Sequence, residues 1–195
     1  KTAGFALYDT ENIQITNVTV QNAPKAFSLS SAVNVRVSDS SFLNNGIAIS
    51  LTGESTDNVF TNNTGTGNKE SVWTNVYEYG VTGNTIDTTN TFDGLPLHYY
   101  EGVAGREFNL EDIHAFYCVS CSSITLKGAH IYSGGTGLSV LDTTNSLFEG
   151  ITMEGAKSGL SLIYGGNNTF TKNTFKDNHT NITSILSSRN SFSNN

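Results

Sequence analysis

Apolar residues recur along this chain with a step of 22 residues. From Leu126 the step reaches Phe148, Phe170 and Phe192; two further files are Ile131, Met153 and Phe175, and Phe116, Leu138, Leu160 and Ile182. Within each repeat, apolar and polar residues alternate, as in Leu138-Ser139-Val140, which is typical of a β-strand with one buried face. The pattern therefore predicts short strands, each about three to five residues long, that return once per step.

The N-terminal half carries the same pattern. Asn12-Ile13-Gln14-Ile15 recurs as Asn34-Val35-Arg36-Val37, and residues 57–63 are similar to residues 167–173. One file is expected to run through Ile15, Val37, Phe60 and Val81 and, two steps later, through Leu126. About nine coils then account for the whole chain.

One coil alone cannot bury its apolar face, but stacked coils bury it together. We therefore predict an all-β fold, a single right-handed parallel β-helix of about nine coils of about 22 residues, forming one domain over residues 1–195. Asn residues at equivalent places in successive coils are expected to hydrogen bond through their side-chain amides. Residues 87–112 form an irregular coil, in which Asp93-Gly94 predicts a turn and Leu97 and Tyr99 a short strand.

Composition and charge narrow the classes of function. Asn, Ser, Thr and Gly dominate while Ala and Leu are scarce, which excludes a helical bundle. The 10 Lys and Arg against 17 Asp and Glu leave a net charge of −7, which disfavours nucleic acid as a partner. Because no apolar run is long enough to cross a bilayer, we expect no membrane insertion in this segment.

Two stretches carry a resemblance to a known family. They are Asp93-Gly94-Leu95-Pro96-Leu97-His98-Tyr99-Tyr100 and Val119-Ser120-Cys121-Ser122-Ser123-Ile124-Thr125. The chain resembles archaeal cell-surface proteins and the NosD-like periplasmic proteins of the CASH group, which comprises carbohydrate-binding proteins and sugar hydrolases. The resemblance implies a right-handed parallel β-helix and an extracytoplasmic setting, and it does not fix an activity.

Carboxylates on a β-helix raise the alternative of a polysaccharide lyase or hydrolase. The spacing favours a plainer role, because Lys127 and Glu149, like Glu154 and Lys176, share a file one coil apart and should form exposed charge pairs. We predict no catalytic residues and no cofactor. An active site in the irregular coil would have to draw on Glu101, Arg106, Glu107, Glu111, Asp112 and His114.

Cys118 and Cys121 have the Cys-x-x-Cys spacing of redox and metal sites. Cys118 shares a file with Val140, which predicts an inward-facing side chain, and Cys121 shares a file with Thr143 at a turn. The chain has no second such pair and its single Met153 lies in an apolar file, so we predict no metal site. The pattern leaves the oxidation state of the two cysteines open.

Aromatic residues gather in the middle of the chain, at Trp73, Tyr77, Tyr79, Tyr99 and Tyr100. Tyr and Trp offer flat apolar faces with a polar edge, which suits a sugar ring or a protein partner. The same residues would also cover the core where the repeat is irregular. Both interpretations stay open, and carbohydrate or partner binding is the sharper hypothesis.

Five Asn-x-Ser/Thr motifs are acceptors for N-linked glycans, at Asn17, Asn62, Asn167, Asn178 and Asn181. A chain this rich in Asn, Ser and Thr contains about that many by composition alone. Asn178 and Asn181 are favoured, because they fall in a turn before the predicted strand at Ile182.

The expected function is a non-catalytic extracellular structural module, such as a surface-layer, adhesin or filament component, with glycans or other surface proteins as partners. The first and last coils are compatible in register, so the chain is expected to be a fragment of a longer protein or a subunit that associates head to tail. The alternatives are a β-helix polysaccharide lyase or hydrolase, and a periplasmic NosD-like accessory protein for metal maturation.

Overall fold

A computed structural model describes residues 3–74, 81 and 83–195 and confirms the predicted fold class. The chain is all-β and forms a right-handed parallel β-helix with about eight turns of about 22 residues. It divides into two compact units, Lys1–Leu97 and His98–Asn195, called unit 1 and unit 2 below. Among the described residues, no helix is long and apolar enough to span a bilayer.

Three sheets form unit 1 in its described residues, and each takes one strand from successive turns. The first is β1 (Phe5–Tyr8), β4 (Lys25–Ser30), β7 (Ile47–Thr52) and β10 (Glu70–Thr74). The second is β2 (Gln14–Thr16), β5 (Arg36–Ser38), β8 (Val59–Thr61) and β11 (Thr85–Ile86). The third is β3 (Thr19–Gln21), β6 (Ser41–Leu43), β9 (Thr64–Thr66) and β12 (Thr91–Phe92), followed by β13 (Leu95–Glu101), which begins in unit 1.

Unit 2 repeats this plan. Its first sheet is β16 (Ala115–Val119), β19 (Thr136–Leu141), β22 (Ser158–Ile163) and β25 (Thr180–Ile185). Its second is β14 (Glu107–Asn109), β17 (Thr125–Lys127), β20 (Leu147–Glu149), β23 (Thr169–Thr171) and β26 (Ser191–Ser193). Its third is β15 (Asp112–Ile113), β18 (His130–Tyr132), β21 (Thr152–Glu154) and β24 (Thr174–Lys176).

The apolar files predicted for unit 2 are confirmed by the strand register. Leu126, Phe148, Phe170 and Phe192 are successive partners, and so are Ile131, Met153 and Phe175, and Phe116, Leu138, Leu160 and Ile182. The rings of Phe148 and Phe170 stack with centroids 4.9 Å apart. Burial of these files supplies the main stabilisation of a solenoid, in which each turn packs on its neighbours.

One file in unit 1 differs from the expectation. Phe60 pairs with Ile86, not with Val81. Asn84 sets this register, because its Oδ1 accepts from both the backbone N–H and the side-chain amide of Asn58, at 3.1 and 2.9 Å. The assignment of Val81 to the file was therefore wrong, since a turn longer than 22 residues leads into β11.

Two separate demands of the fold account for the many Asn residues. Asn side chains form the predicted ladders, with at least one buried Asn in each of the pairs Asn45–Asn68, Asn58–Asn84, Asn63–Asn90, Asn168–Asn190 and Asn173–Asn195. Other Asn residues occupy turns with a positive φ, as Asn145 and Asn167 do at 54° and 56°. Asn tolerates this left-handed conformation better than most residues.

Asp93 and Gly94 form the predicted turn in the irregular coil. They are the two loop residues between β12 and β13, and Phe92 pairs with Leu95 in antiparallel register. Their φ angles are 48° and 83°, as a type I′ hairpin requires, and Asp-Gly is a preferred sequence for that turn. Leu97 and Tyr99 lie in β13, as expected.

Candidate binding face

Trp73, the first of the predicted aromatic binding residues, is 41% exposed in β10 of unit 1. The Lys25 ammonium lies 5.3 Å from the centroid of its ring and donates to Ser50 Oγ at 3.1 Å. The cation is therefore fixed beside the indole by a cation–π contact and a hydrogen bond. Tyr77 and Tyr79 lie outside the described residues.

Tyr99 in unit 2 is packed into the protein, with 6% of its surface exposed. Its ring centroid lies 6.3 Å from that of Tyr117, and its hydroxyl donates to Glu101 Oε2 at 3.2 Å. Burial, with the Glu101 carboxylate adding to it, raises the pKa of Tyr99 well above its ordinary value. Tyr99 is thus a protonated, packed side chain with little ring surface for a ligand.

Tyr100 is half-buried among aromatic rings of unit 2. Its ring centroid lies 4.5 Å from that of Phe108 and 5.5 Å from that of Phe116, and the Arg106 guanidinium lies 5.2 Å from it. Its hydroxyl is 3.0 Å from Nδ1 of His98. Packing accounts for Tyr99 and Tyr100, and ligand binding through them stays a prediction.

Three of the residues considered for an active site in the irregular coil, Glu101, Arg106 and Glu107, have separate partners. Glu101 accepts a hydrogen bond from a tyrosine, Arg106 lies 4.7 Å from the ring of Phe108, and Glu107 pairs with Lys127 at 3.3 Å. The hydrogen bond from Asn109 and the contact with Lys127 lower the pKa of Glu107. These contacts use the charged groups for local packing and cross-strand pairing.

A connected group of side chains that sequence reasoning missed lies on the outward side of the sheet β15–β18–β21–β24. We call it the His130 face; it comprises Asp112, His130, Tyr132, Glu154 and Lys176. The distances are 2.8 Å from the Tyr132 hydroxyl to His130 Nδ1, 3.0 Å from His130 Nε2 to Glu154 Oε2, and 2.6 Å from Lys176 Nζ to Glu154 Oε1. The rings of His130 and Tyr132 stack with centroids 3.9 Å apart.

The partners on the His130 face assign the protons of neutral His130. A carboxylate only accepts, so Nε2–H donates to Glu154, and Nδ1 accepts from the Tyr132 hydroxyl. Hydrogen bonds from Lys176 and His130 lower the pKa of Glu154, while desolvation and the Asp112 and Glu154 carboxylates raise that of Tyr132. Tyr132 therefore stays a phenol that donates a hydrogen bond, and it is poorly suited to act as a base.

Repeat spacing alone found part of this arrangement. The predicted pair Glu154–Lys176 is present. Lys127 and Glu149 are register partners as expected, but the ion pairs that form are Lys127–Glu107 and Lys172–Glu149, at 3.3 and 2.9 Å. Long side chains reach diagonally to an adjacent file, which a fixed step of 22 does not anticipate.

Cys118 and Cys121 form a disulfide and are both buried. Cys118 is the register partner of Val140 and is fully buried, as its file predicted. The backbone N–H of Cys121 donates to Thr143 Oγ1 at 3.3 Å, which matches the predicted position at a turn. The disulfide answers the question that the spacing left open.

The five glycan acceptor residues differ in how free their amides are. Asn17, Asn62 and Asn167 are exposed turn residues with φ between 54° and 56°, although the amide of Asn62 donates to Asp39 Oδ1. The amide of Asn178 is engaged with the preceding turn, accepting a backbone N–H at 2.8 Å and donating to a carbonyl at 2.9 Å. Asn181 is exposed in β25, so it suits a glycan better than Asn178; glycosylation itself stays a prediction.

Comparison with known proteins points to the same class of protein as the fold. Residues 113–195 match the family described as right handed beta helix region, and residues 1–94 match the family described as periplasmic copper-binding protein (NosD). The chain is a right-handed parallel β-helix repeat domain. Within that class, residues 1–94 are similar to the NosD family.

Other comparisons add little. A solved structure of HetL, a pentapeptide repeat protein involved in heterocyst differentiation regulation from the cyanobacterium Nostoc, is 12% identical and aligns over 98% of this chain and 88% of that one. Its TM-score of 0.17 is too low to support any argument. No curated protein sequence matches the chain at a significant level.

The name of the NosD family refers to copper, and the described residues of this chain do not fit a copper site. Copper in proteins is held by grouped Met, Cys and His side chains. Met153 is 1% exposed in an apolar file, and Cys118 and Cys121 are bonded to each other. Across residues 3–74, 81 and 83–195, no group of three or more His, Cys, Asp or Glu side chains is arranged to hold a metal ion.

Proposed function

We propose that this chain is a non-catalytic structural module that works outside the cytoplasm, at the cell surface or in the periplasm, and presents its sheet faces to glycans or partner proteins. The inter-turn ladders support this proposal best. Buried residues such as Asn58, Asn63 and Asn168 each bond to the turns before and after them. Because these side chains already hydrogen bond within the fold, few polar groups of the interior are available for catalysis. The outward faces of the sheets remain available for binding.

The disulfide supports the extracytoplasmic setting. Disulfides persist in secreted and periplasmic proteins and are rare in the reducing cytosol of most organisms. Cys118 and Cys121 are buried in unit 2, where the bond is shielded from small thiols. The NosD family, described as periplasmic, is consistent with the same setting.

Thiol labelling in cells that make the protein tests this placement. After rapid cell fractionation, free thiols are blocked with an alkylating reagent under denaturing conditions, and disulfides are then reduced and labelled with a second reagent. Label on Cys118 and Cys121 only after reduction is the expected result. Full reaction with the first reagent, in protein recovered with cytosolic markers, would overturn the extracytoplasmic proposal. In a separate assay with polysaccharides, release of reducing or unsaturated ends by the purified protein would overturn the proposal that it is non-catalytic.

The hydroxyl of Thr10 favours a second role for the chain, the head-to-tail association of copies. In several turns a hydroxyl accepts the backbone N–H of the turn before it; examples are Ser55 from Ala32, Thr143 from Cys121, and Ser187 from Gly165. Thr10 lies 22 residues before Ala32 in the same file, and its buried Oγ1 has no hydrogen-bond partner among the described residues. We propose that an adjoining turn, from a longer chain or from the last turn of a second copy, supplies the missing N–H.

A further inference from the structure

We propose that the His130 face is a binding site for neutral carbohydrate, with Tyr132 as the ring on which a sugar stacks. This proposal rests on the proposed function, because it names the ligand and the site of one of those sheet faces. It moves the expected binding site from Tyr99 and Tyr100, which are packed, to a strand that the aromatic pattern did not single out. Its support comes from the rigidity, the hydrogen-bonding groups and the charge of the face.

Tyr132 is held in place before any ligand arrives. It is 38% exposed on β18, while one side of its ring is stacked on His130 and its hydroxyl is bound to His130 Nδ1. Glu154 in turn holds the other nitrogen of His130. A ring that is already ordered loses little conformational freedom on binding. This low cost matters for sugars, which bind proteins weakly.

Hydrogen-bonding groups surround the exposed ring. Asp112 is the register partner of His130, and its carboxylate is 64% exposed, with His130 Nδ1 at 3.9 Å. Thr152 and Thr174 continue the same outward file, next to Glu154 and Lys176. The strands are about 4.8 Å apart, so these carboxylates and hydroxyls lie along one side of the aromatic stack. A sugar chain running across the strands would place its hydroxyls within hydrogen-bonding reach of them.

The charges on the face favour a neutral sugar over an acidic one. Lys176 is bound to Glu154 at 2.6 Å, and that contact raises the pKa of Lys176. The Lys176 charge is thus opposed by Glu154, and the exposed Asp112 carboxylate adds a negative charge to the face. A uronate would meet that charge without a free cation to bind it, whereas the hydroxyls of a neutral sugar donate to carboxylates.

Glycan-array binding by the full chain, followed by calorimetric titration with the neutral oligosaccharide that gives the strongest signal, tests the proposal. Tyr132→Ala should weaken binding at least about tenfold, and Tyr132→Phe, which keeps the ring, by no more than about threefold. Tyr8→Ala is the matched control, because Tyr8 is 53% exposed on a strand of unit 1. Circular dichroism confirms that each variant is folded.

Three results would overturn the proposal. They are no binding to any neutral oligosaccharide at millimolar concentration, preferential binding of acidic glycans or of a lysine-rich peptide, and an equal loss in Tyr8→Ala and Tyr132→Ala. Each outcome leaves the thiol-labelling result unchanged. Failure of the carbohydrate site is therefore distinguishable from failure of the proposed extracytoplasmic role.

Discussion

At the scale of single residues, His98 links stability to pH. It is 8% exposed, and burial, with a smaller contribution from the Arg106 charge, lowers the pKa of its imidazole. The unfolded chain therefore binds this proton more readily, so the free energy of unfolding should fall as pH drops below about 6.5. Urea unfolding between about pH 5 and 8 should show this slope in the native protein and a weaker slope in His98→Gln. An unchanged slope in His98→Gln, matching that of the exposed control His179→Gln, would refute the assignment.

The Asn ladders give a second residue-scale prediction. Asn168 is 1% exposed; its Oδ1 accepts from the Ser146 N–H at 3.0 Å, and its amide donates to the Thr143 carbonyl at 2.7 Å. Asn168→Leu leaves both backbone groups unpaired and should cost about 2–4 kcal/mol in the free energy of unfolding. Asn168→Ser should cost less, because Ser146 serves the same file one turn earlier by accepting from Ile124 N–H.

Urea unfolding measures both Asn168 variants, with the outward-facing Thr169→Val as control. Equal losses for Asn168→Leu and Asn168→Ser would show that the acceptor oxygen does not determine the stability of the ladder.

The sequence predicted Asn ladders but did not predict that Asn residues recur for two different reasons. Asn145 and Asn167 share a file too, yet they are turn residues with positive φ, and spacing does not distinguish a buried amide from an exposed turn.

At the scale of strands and turns, close approach between successive coils restricts certain glycines. A Cβ on Gly46 would lie 2.4 Å from the carbonyl oxygen of Pro24, one turn earlier. Gly46→Ala should therefore destabilise the protein by about 1–3 kcal/mol, because backbone atoms cannot move aside. Gly150→Asn is the control: its φ is 66°, which Asn adopts elsewhere in this chain, and no atom lies near the added Cβ. Thermal unfolding with no difference between the two variants would contradict this.

The strands were predictable wherever the period held. The files through Phe116, Ile131 and Leu126 follow from spacing, because a parallel register repeats the same side chain at the same height. Val81 was misplaced because a single longer turn shifts every later residue, and the shift is seen in the Phe60–Ile86 register and the Asn84–Asn58 hydrogen bond. The His130 face was missed for a related reason: its central contact joins residues 24 apart, in neighbouring files.

At the scale of the whole chain, each unit has a file in which Asn residues follow one another in successive turns. In unit 1 one file runs from Ile13 and Val35 to Asn58 and Asn84; in unit 2 the equivalent file runs from Ile124 and Ser146 to Asn168 and Asn190. Each polar side chain in these files accepts an N–H from the turn before it. Thr10 Oγ1 lies in a neighbouring file and has no such N–H partner among the described residues, so a further turn stacked on it would supply one.

Head-to-tail association is therefore the prediction that Thr10 allows us to test. Thr10→Val removes a buried hydroxyl without a partner, so it should leave the melting temperature unchanged or higher while weakening self-association several-fold, by about 1 kcal/mol. Phe192→Asp, at a file position that is 42% exposed, should weaken it further, whereas Tyr164→Asp, 36% exposed at a turn, should not. Sedimentation velocity over a concentration series measures both effects. A native protein that sediments as a monomer at every concentration, or equal behaviour of Phe192→Asp and Tyr164→Asp, would rule this association out.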